Sequence, residues 1–469
     1  MILACFRMGD NMDIKINILE ENSKELKRDL GLFAAIAVVM GQMIGSGIYM
    51  TPQGLAQLAN PKAAILAMVI TGTGTMLLAL CFAKMGEKMP ASGSAVVYTK
   101  KAFGDLPAFF VGWSYWCGCW IANGAIILGG ISYATYFFPI LSKNGFYKAL
   151  ICVGIIWLYT LINIRGVKEA GYLNLFLTII KLLPLAVFLA IAIPHFNVEN
   201  FKTVSSPSVS GFSVLPVAIA YSLWSFTGFE GASMIAGEVK DVKTVRLATI
   251  IGTGLVFILY FLLVAVAAGN MSQGNLAASE SPFADIIYNV TGGYWAGGFI
   301  SLGVCISAFG CVGAWVLSSA RVAFSLGEQK LFPASFSKLH PEYRTPYFGL
   351  IINAILMSIV MVLGCLTNQG SIYNFLVLFA TMSLLVFYAF GAASEIKLFA
   401  TKTKPFNPVT FIKNSLLGLA AFAYAVYSIY GSGGDVVMYG FIFMLIGIPV
   451  YIYVQLQNEK ADIESEEAS

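Results

Sequence analysis

Apolar residues run almost unbroken along most of the chain and are interrupted at intervals by charges, proline or glycine-rich turns. Runs long enough to cross a bilayer lie at about 31–58, 62–83, 106–138, 147–165, 170–193, 212–237, 245–269, 293–325, 346–366, 371–394, 412–431 and 435–455. A crossing takes about 20 apolar residues, so the pattern predicts twelve spans. Within the runs polar residues do not alternate with apolar ones, as they would in a barrel strand. In lipid only helices and closed barrels satisfy the backbone, so the spans are helices and the fold class is an all-α membrane protein.

Two spans are flawed. The first contains Gly41-Gln42-Met43-Ile44-Gly45-Ser46-Gly47, with Thr51-Pro52 beyond; the sixth contains Trp224-Ser225-Phe226-Thr227-Gly228-Phe229-Glu230-Gly231. Glycine favours irregular backbone, which membrane depth tolerates only where it lines a cavity or finds partners. Transporters built from inverted repeats use such broken helices at the midplane. Spans 1 and 6 are equivalent in a 5+5 arrangement, and an odd unit of five inverts the second relative to the first. The predicted units are a tail (1–30), a first repeat (31–194), a second, inverted repeat (212–394), two extra helices (412–455) and a tail (456–469). The alternative for Gly41-x-x-x-Gly45 is close helix packing through small residues.

Composition agrees with a membrane protein: 58% of residues are hydrophobic and only 11% charged, against about 25% charged in soluble domains. That excludes an ordinary soluble enzyme and a nucleic-acid binder. The net charge of +4 matters less than its distribution. Lys62, Lys143, Lys148 and Lys202 fall in loops on one side and Lys181 inside a span, while the other 23 of the 28 Lys and Arg lie on the opposite side. By the positive-inside rule both termini are cytoplasmic. The opening MILACF is too short for a signal peptide, and Met8 or Met12 is an alternative start. Eight scattered cysteines and two histidines, without a C-x-x-C, support neither a metal site nor a disulfide framework. No hydrolase triad, zinc motif or P-loop is present, so neither catalysis nor a cofactor is expected.

Glu230 and Lys181 are the two ionisable acid or base residues well inside spans. A charge at the bilayer centre costs about 2.5–3.5 kcal/mol, so each must face a cavity, pair or neutralise. Glu230 is a candidate proton carrier or gate, or else it bonds backbone N–H groups freed at the break. Lys181 would fill the place of a sodium ion between helices, give up its proton during transport, or tether backbone carbonyls. Trp224 sits at the break, where its face can stack on a cation or close over substrate. Asn123, inside span 3, needs a partner from a ligand or a neighbouring helix.

The stretches GQMIGSGIYMTP (41–52), CWIANGAIILGGISYATYFFPIL (119–141), SLWSFTGFEGASMIAGEVKD (222–241) and GAWVLSSARVAFSLGEQKLFP (313–333) resemble the amino acid–polyamine–organocation superfamily, and within it the basic amino acid/polyamine antiporters of the arginine–agmatine type. The resemblance runs from about 30 to 455. It implies a LeuT-type fold with twelve helices, alternating access, a homodimer and the bacterial inner membrane. It would have Ser46 and Gly47 bind a substrate carboxylate, and carbonyls near Met43, Trp224 and Thr227 receive the α-amino group. Trp224 would be the middle gate, and Glu230 with Tyr115 and Tyr388 an inner gate. Cys119, Asn123 and Trp315 would line the side-chain pocket. The family's span-10 serine falls at Ala380, with Thr381 beside it, and Gln42 stands where the family has asparagine. Lys181 is foreign to the arginine–agmatine branch and resembles the lysine of sodium-independent permeases; it would repel a dicationic amine. The implied function is an antiporter exchanging arginine, lysine, ornithine or a related substrate for an amine or amino acid. The alternatives are a proton-coupled permease of neutral or broad range and an amino-acid sensor.

Overall fold

The computed structural model describes residues 31–89, 95–166, 170–201, 212–231, 239, 241–367, 369–400 and 408–467. The tail expected at 1–30 lies outside the described residues. Each predicted run that is described is helical, and no β-strand occurs among the described residues.

The first run is two helices, α1 (Leu32–Met43) and α2 (Gly47–Leu58), bent by 40° at residues 44–46. Then follow α3 (Pro61–Lys88), a short helix α4 (Ala95–Phe103), α5 (Asp105–Ala134), α6 (Gly145–Arg165) and α7 (Ala170–Ala192). The sixth run begins as α8 (Leu215–Phe226) and stops at its glycine-rich segment; residues 232–238 of that run lie outside the described residues. The second half continues with α9 (Val242–Asn270), the short α10 (Pro282–Thr291), α11 (Tyr294–Glu328), α12 (Tyr347–Thr367), α13 (Gln369–Glu395), α14 (Pro408–Gly431) and α15 (Gly434–Glu467). Among the described residues nine helices are long and apolar enough to cross a membrane, and the bent pair makes a tenth. Helices α7 and α8 occupy the fifth and sixth runs.

Helix starts follow local chemistry. Asn60 caps α3 by accepting from Ala63 N at 2.9 Å, with Pro61 at the first position. Asn144 caps α6 through Phe146 N (3.0 Å) and Tyr147 N (3.3 Å), and Asp241 caps α9 through Lys243 N (3.1 Å). The last helix does not stop where the apolar run stops. The stretch after 455 contains no glycine or proline, and Lys460 pairs with Glu464 at 3.9 Å one turn on, so α15 continues to Glu467.

Burial ranks the helices. The central window of α5 is 89% buried and that of α15 only 17%, so α5 forms the axis of the bundle and α14 and α15 its periphery. Outward-facing leucines, isoleucines and tyrosines such as Leu158, Ile258, Leu416 and Tyr430 are exposed, as lipid-facing side chains are. Around α5 pack α11 and α13; α3 packs on α9, and α6 on α12.

Candidate functional site

The two chain breaks face each other at the centre of the bundle. At the first, Ile44 N still bonds Met40 O (2.8 Å) and Gly45 N bonds Met43 O (3.0 Å), after which the helix ends. Ser46 starts α2 without using its hydroxyl as a cap. Its Oγ is buried with no hydrogen-bond partner, an arrangement that asks for an explanation. At the second break Thr227 turns extended and Gly228 takes φ +103°, a left-handed conformation that glycine alone adopts freely. The Thr227 hydroxyl donates to Trp224 O at 2.8 Å and its N–H to the same oxygen at 3.3 Å.

The half-helices touch through small residues. A Cβ on Gly47 would lie 3.0 Å from Trp224 Nε1, and one on Gly228 would lie 3.0 Å from the Gln42 carbonyl carbon. Thr51 and Ser225 share a hydroxyl–hydroxyl hydrogen bond between α2 and α8. Gly129 of α5 leaves room for the Ser46 side chain, 2.7 Å from where its own Cβ would be.

Between the breaks is a cavity of about 20 Å³ lined by Gln42, Met43, Gly45, Gly47, Ile126, Trp224, Thr227, Cys311 and Trp315. Five of the sequence-derived site residues, Met43, Gly47, Trp224, Thr227 and Trp315, therefore meet at one place. Ser46 adjoins them between Gly45 and Gly47. Trp224 Nε1 and Asn123 Oδ1 are, like Ser46 Oγ, buried without partners. Asn123 Nδ2 donates to Cys119 O at 3.1 Å along its own helix. Cys119 and Thr381 do not line the cavity: Cys119 lies one turn from Tyr115, toward Glu230, and the Thr381 hydroxyl donates to Val377 O at 2.7 Å on its own helix. Gln42, which belongs to the glycine-rich first break, also lines the cavity, whereas Ile126 and Cys311 are lining residues without an obvious signal in the sequence. A faint one exists, since Cys311 is four residues before Trp315 and Ile126 three after Asn123.

Glu230 is buried beside the second break. Oε1 accepts from the Tyr115 hydroxyl at 3.1 Å; Oε2 accepts from the Tyr388 hydroxyl at 3.0 Å and from Gly228 N at 3.2 Å. The carboxylate thus bonds freed backbone and also joins α5 to α13. Phe82, Phe229 and Phe387 pack against these tyrosines, with Phe229 and Tyr388 centroids 4.8 Å apart and Tyr115 and Phe387 4.1 Å apart.

Lys181 takes the tethering arrangement. Its Nζ donates to Gly41 O at 2.9 Å, where α1 runs out of helical donors. Tyr260 donates to Met43 O at 2.8 Å and Thr178 to Ala37 O at 3.2 Å. The Lys181 ammonium and the Tyr260 hydroxyl therefore serve the carbonyl end of the half-helix, where positive charge is favoured, and Thr178 adds a bond one turn earlier. A second cavity of about 50 Å³ adjoins Lys181, and Gln42 lines it as well as the first. A third buried ionisable group, Glu395 at the end of α13, is ion-paired with Lys84 of α3. No group of metal-binding side chains occurs among the described residues.

The sequence profile of the amino acid permease family matches residues 30–454. An arginine/ornithine antiporter of Latilactobacillus sakei is 31% identical over 378 residues, 79% of each chain. An arginine/ornithine antiporter of Pseudomonas aeruginosa is 29% identical over 423 residues, 88% of each chain. An arginine/agmatine antiporter of Chlamydia felis is 27% identical over 453 residues, 94% of this chain and 93% of its own.

Proposed function

The chain belongs to the amino acid permease family, and from that premise we propose that it is a secondary amino-acid antiporter, exchanging a basic amino acid such as arginine for a related amine or amino acid by alternating access. The observation that carries this reading is that both helix breaks line one cavity, through Gln42, Met43, Gly45 and Gly47 on one side and Trp224 and Thr227 on the other, with the buried, unbonded Ser46 hydroxyl between Gly45 and Gly47. A zwitterion matches that arrangement. Its carboxylate meets Ser46, Gly47 and the N-terminal end of α2, where N–H groups point outward. Its ammonium meets the carbonyl ends near Met43, Trp224 and Thr227. The side chain extends toward Trp315, Asn123, Cys119 and Thr381. At about 20 Å³ the cavity holds a water or two, so substrate enters only as Trp224 swings away. Glu230, with Tyr115 and Tyr388, gates the opposite exit.

The same proposal includes twelve crossings in an inverted 5+5 repeat. Its support is the packing. Helices that the repeat would exchange lie against each other (α3 on α9, α5 on α11, α6 on α12), and the packing of α1 on α9 is matched by that of α8 on α3. Cytoplasmic termini, the bacterial inner membrane and a homodimer complete it.

The test is uptake of radiolabelled arginine into proteoliposomes, competed with a panel of amino acids and amines. Antiport requires internal substrate: arginine, ornithine or agmatine inside should drive uptake, and empty vesicles should take up none. Accumulation in empty vesicles under a pH gradient alone would replace this reading with the proton-coupled permease of broader range. The fixed cation at Lys181 favours that second reading, because it disfavours a dicationic amine.

A further inference from the structure

One end of the bundle is tied together by side chains that lie outside the central cavity. Gln57, on the last turn of α2, donates from Nε2 to Ala277 O at 2.8 Å and accepts at Oε1 from Asn374 Nδ2 at 2.8 Å. Asn374 Oδ1 accepts from the Tyr221 hydroxyl of α8 at 3.1 Å. Gln273 Nε2 donates to Ala56 O and Ala59 O, each at 3.1 Å, so the short helix Gln273–Ala278 caps the carbonyl end of α2. One pair of carboxamides therefore ties together both half-helices that line the cavity, α13 and the segment covering them. Tyr221 reaches Asn374 because Gly54 lies under its ring, where a Cβ would collide. The residue before Asn374 points inward: the buried Tyr373 hydroxyl faces the Trp224 indole and lies near the Tyr221 hydroxyl.

This network stands about 21 Å along α13 from Tyr388, at the end opposite Glu230. The other end is held by the Lys84–Glu395 ion pair. Gln57, Asn374 and Tyr221 are all neutral. Hydrogen bonds between neutral groups exchange for water at small net cost, so this closure can break and re-form without moving a charge.

We infer that Gln57, Asn374 and Tyr221 form the latch that closes the substrate route at this end, and that Tyr373 joins the latch to the Trp224 gate. The inference rests on the alternating-access reading. Cys311 is a native reporter, since it lines the cavity and is buried. Its modification by a membrane-impermeant maleimide is measured in right-side-out vesicles, with Cys311→Ser as background. Asn374→Ala and Gln57→Ala each remove two of these hydrogen bonds and should speed labelling about 25-fold, about fivefold for each net bond lost, and the double variant, which loses the shared bond once, should gain less than the product. Tyr221→Phe removes one donor without changing shape and should act in the same direction, so it decides the matter if a carboxamide variant does not fold. Labelling at the wild-type rate in every folded variant overturns the latch. Tyr373→Phe leaves the latch bonds intact and should slow exchange with Cys311 still protected; wild-type exchange would remove Tyr373 from the inference. Faster labelling in a protein that exchanges no arginine would keep the latch and refute the substrate reading instead.

Discussion

Lys181 and Glu230 show what one side chain contributes here. A hydrogen bond from a charged donor is worth about 1.5–3 kcal/mol, and Lys181 places one on Gly41 O within a buried site. Lys181→Met should lower the melting temperature in detergent by several degrees and abolish arginine exchange; full activity with a normal pH response would leave Lys181 as a tether alone. Glu230→Gln keeps an acceptor for Tyr115 or Tyr388, so it should fold normally while transport loses its dependence on pH, as measured by uptake across a pH series. Trp224→Leu should slow exchange far more than it lowers the melting temperature, because the indole fills the space against Gly47. These three residues were legible in the sequence: two are lone ionisable groups in apolar runs and the third sits at a break. Glu395 was not, because at the end of its run it reads as an ordinary loop charge. Only the fold shows it fully buried against Lys84.

At the scale of elements, apolar runs predict helices well because the hydrocarbon demands internally bonded backbone. They do not fix how a flawed helix breaks. The first break is a 40° bend over three residues, whereas the second is a left-handed glycine followed by a carboxylate that caps it. Such geometry depends on neighbours far away in sequence: Lys181 and Tyr260 at one break, Tyr115 and Tyr388 at the other. The lining role of Ile126 and Cys311 is equally non-local, and α15 outran its apolar stretch because helix propensity continues where hydropathy stops. Gly228→Ala tests the second break. A side chain at φ +103° costs of the order of 1–2 kcal/mol, and its Cβ would press on Gln42. Exchange should fall sharply with only a modest loss of thermal stability. Gly47→Ala should instead press on the Trp224 indole at the cavity wall and raise the KM for arginine.

For the whole molecule, the conformation combines a small central cavity with side-chain ties toward both ends of the bundle, the neutral Gln57–Asn374–Tyr221 network and the Lys84–Glu395 ion pair. Its parts are coupled because α13 carries elements of each: Asn374 near one end, Tyr388 two turns from the other and Glu395 at that end. The tethered ammonium of Lys181 has a consequence in electrical terms. An ion bound from solution travels with its cargo and adds to the current, but a charge anchored on α7 remains with the carrier. Without a sodium contribution, the charge moved per cycle is set by the two cargoes and by any proton on Glu230. Replacing sodium by choline should leave the reversal potential unchanged on a solid-supported membrane. Arginine against ornithine should then run as a silent exchange, one positive charge for another. Arginine against a doubly charged amine should act as a small generator, driven by the membrane voltage.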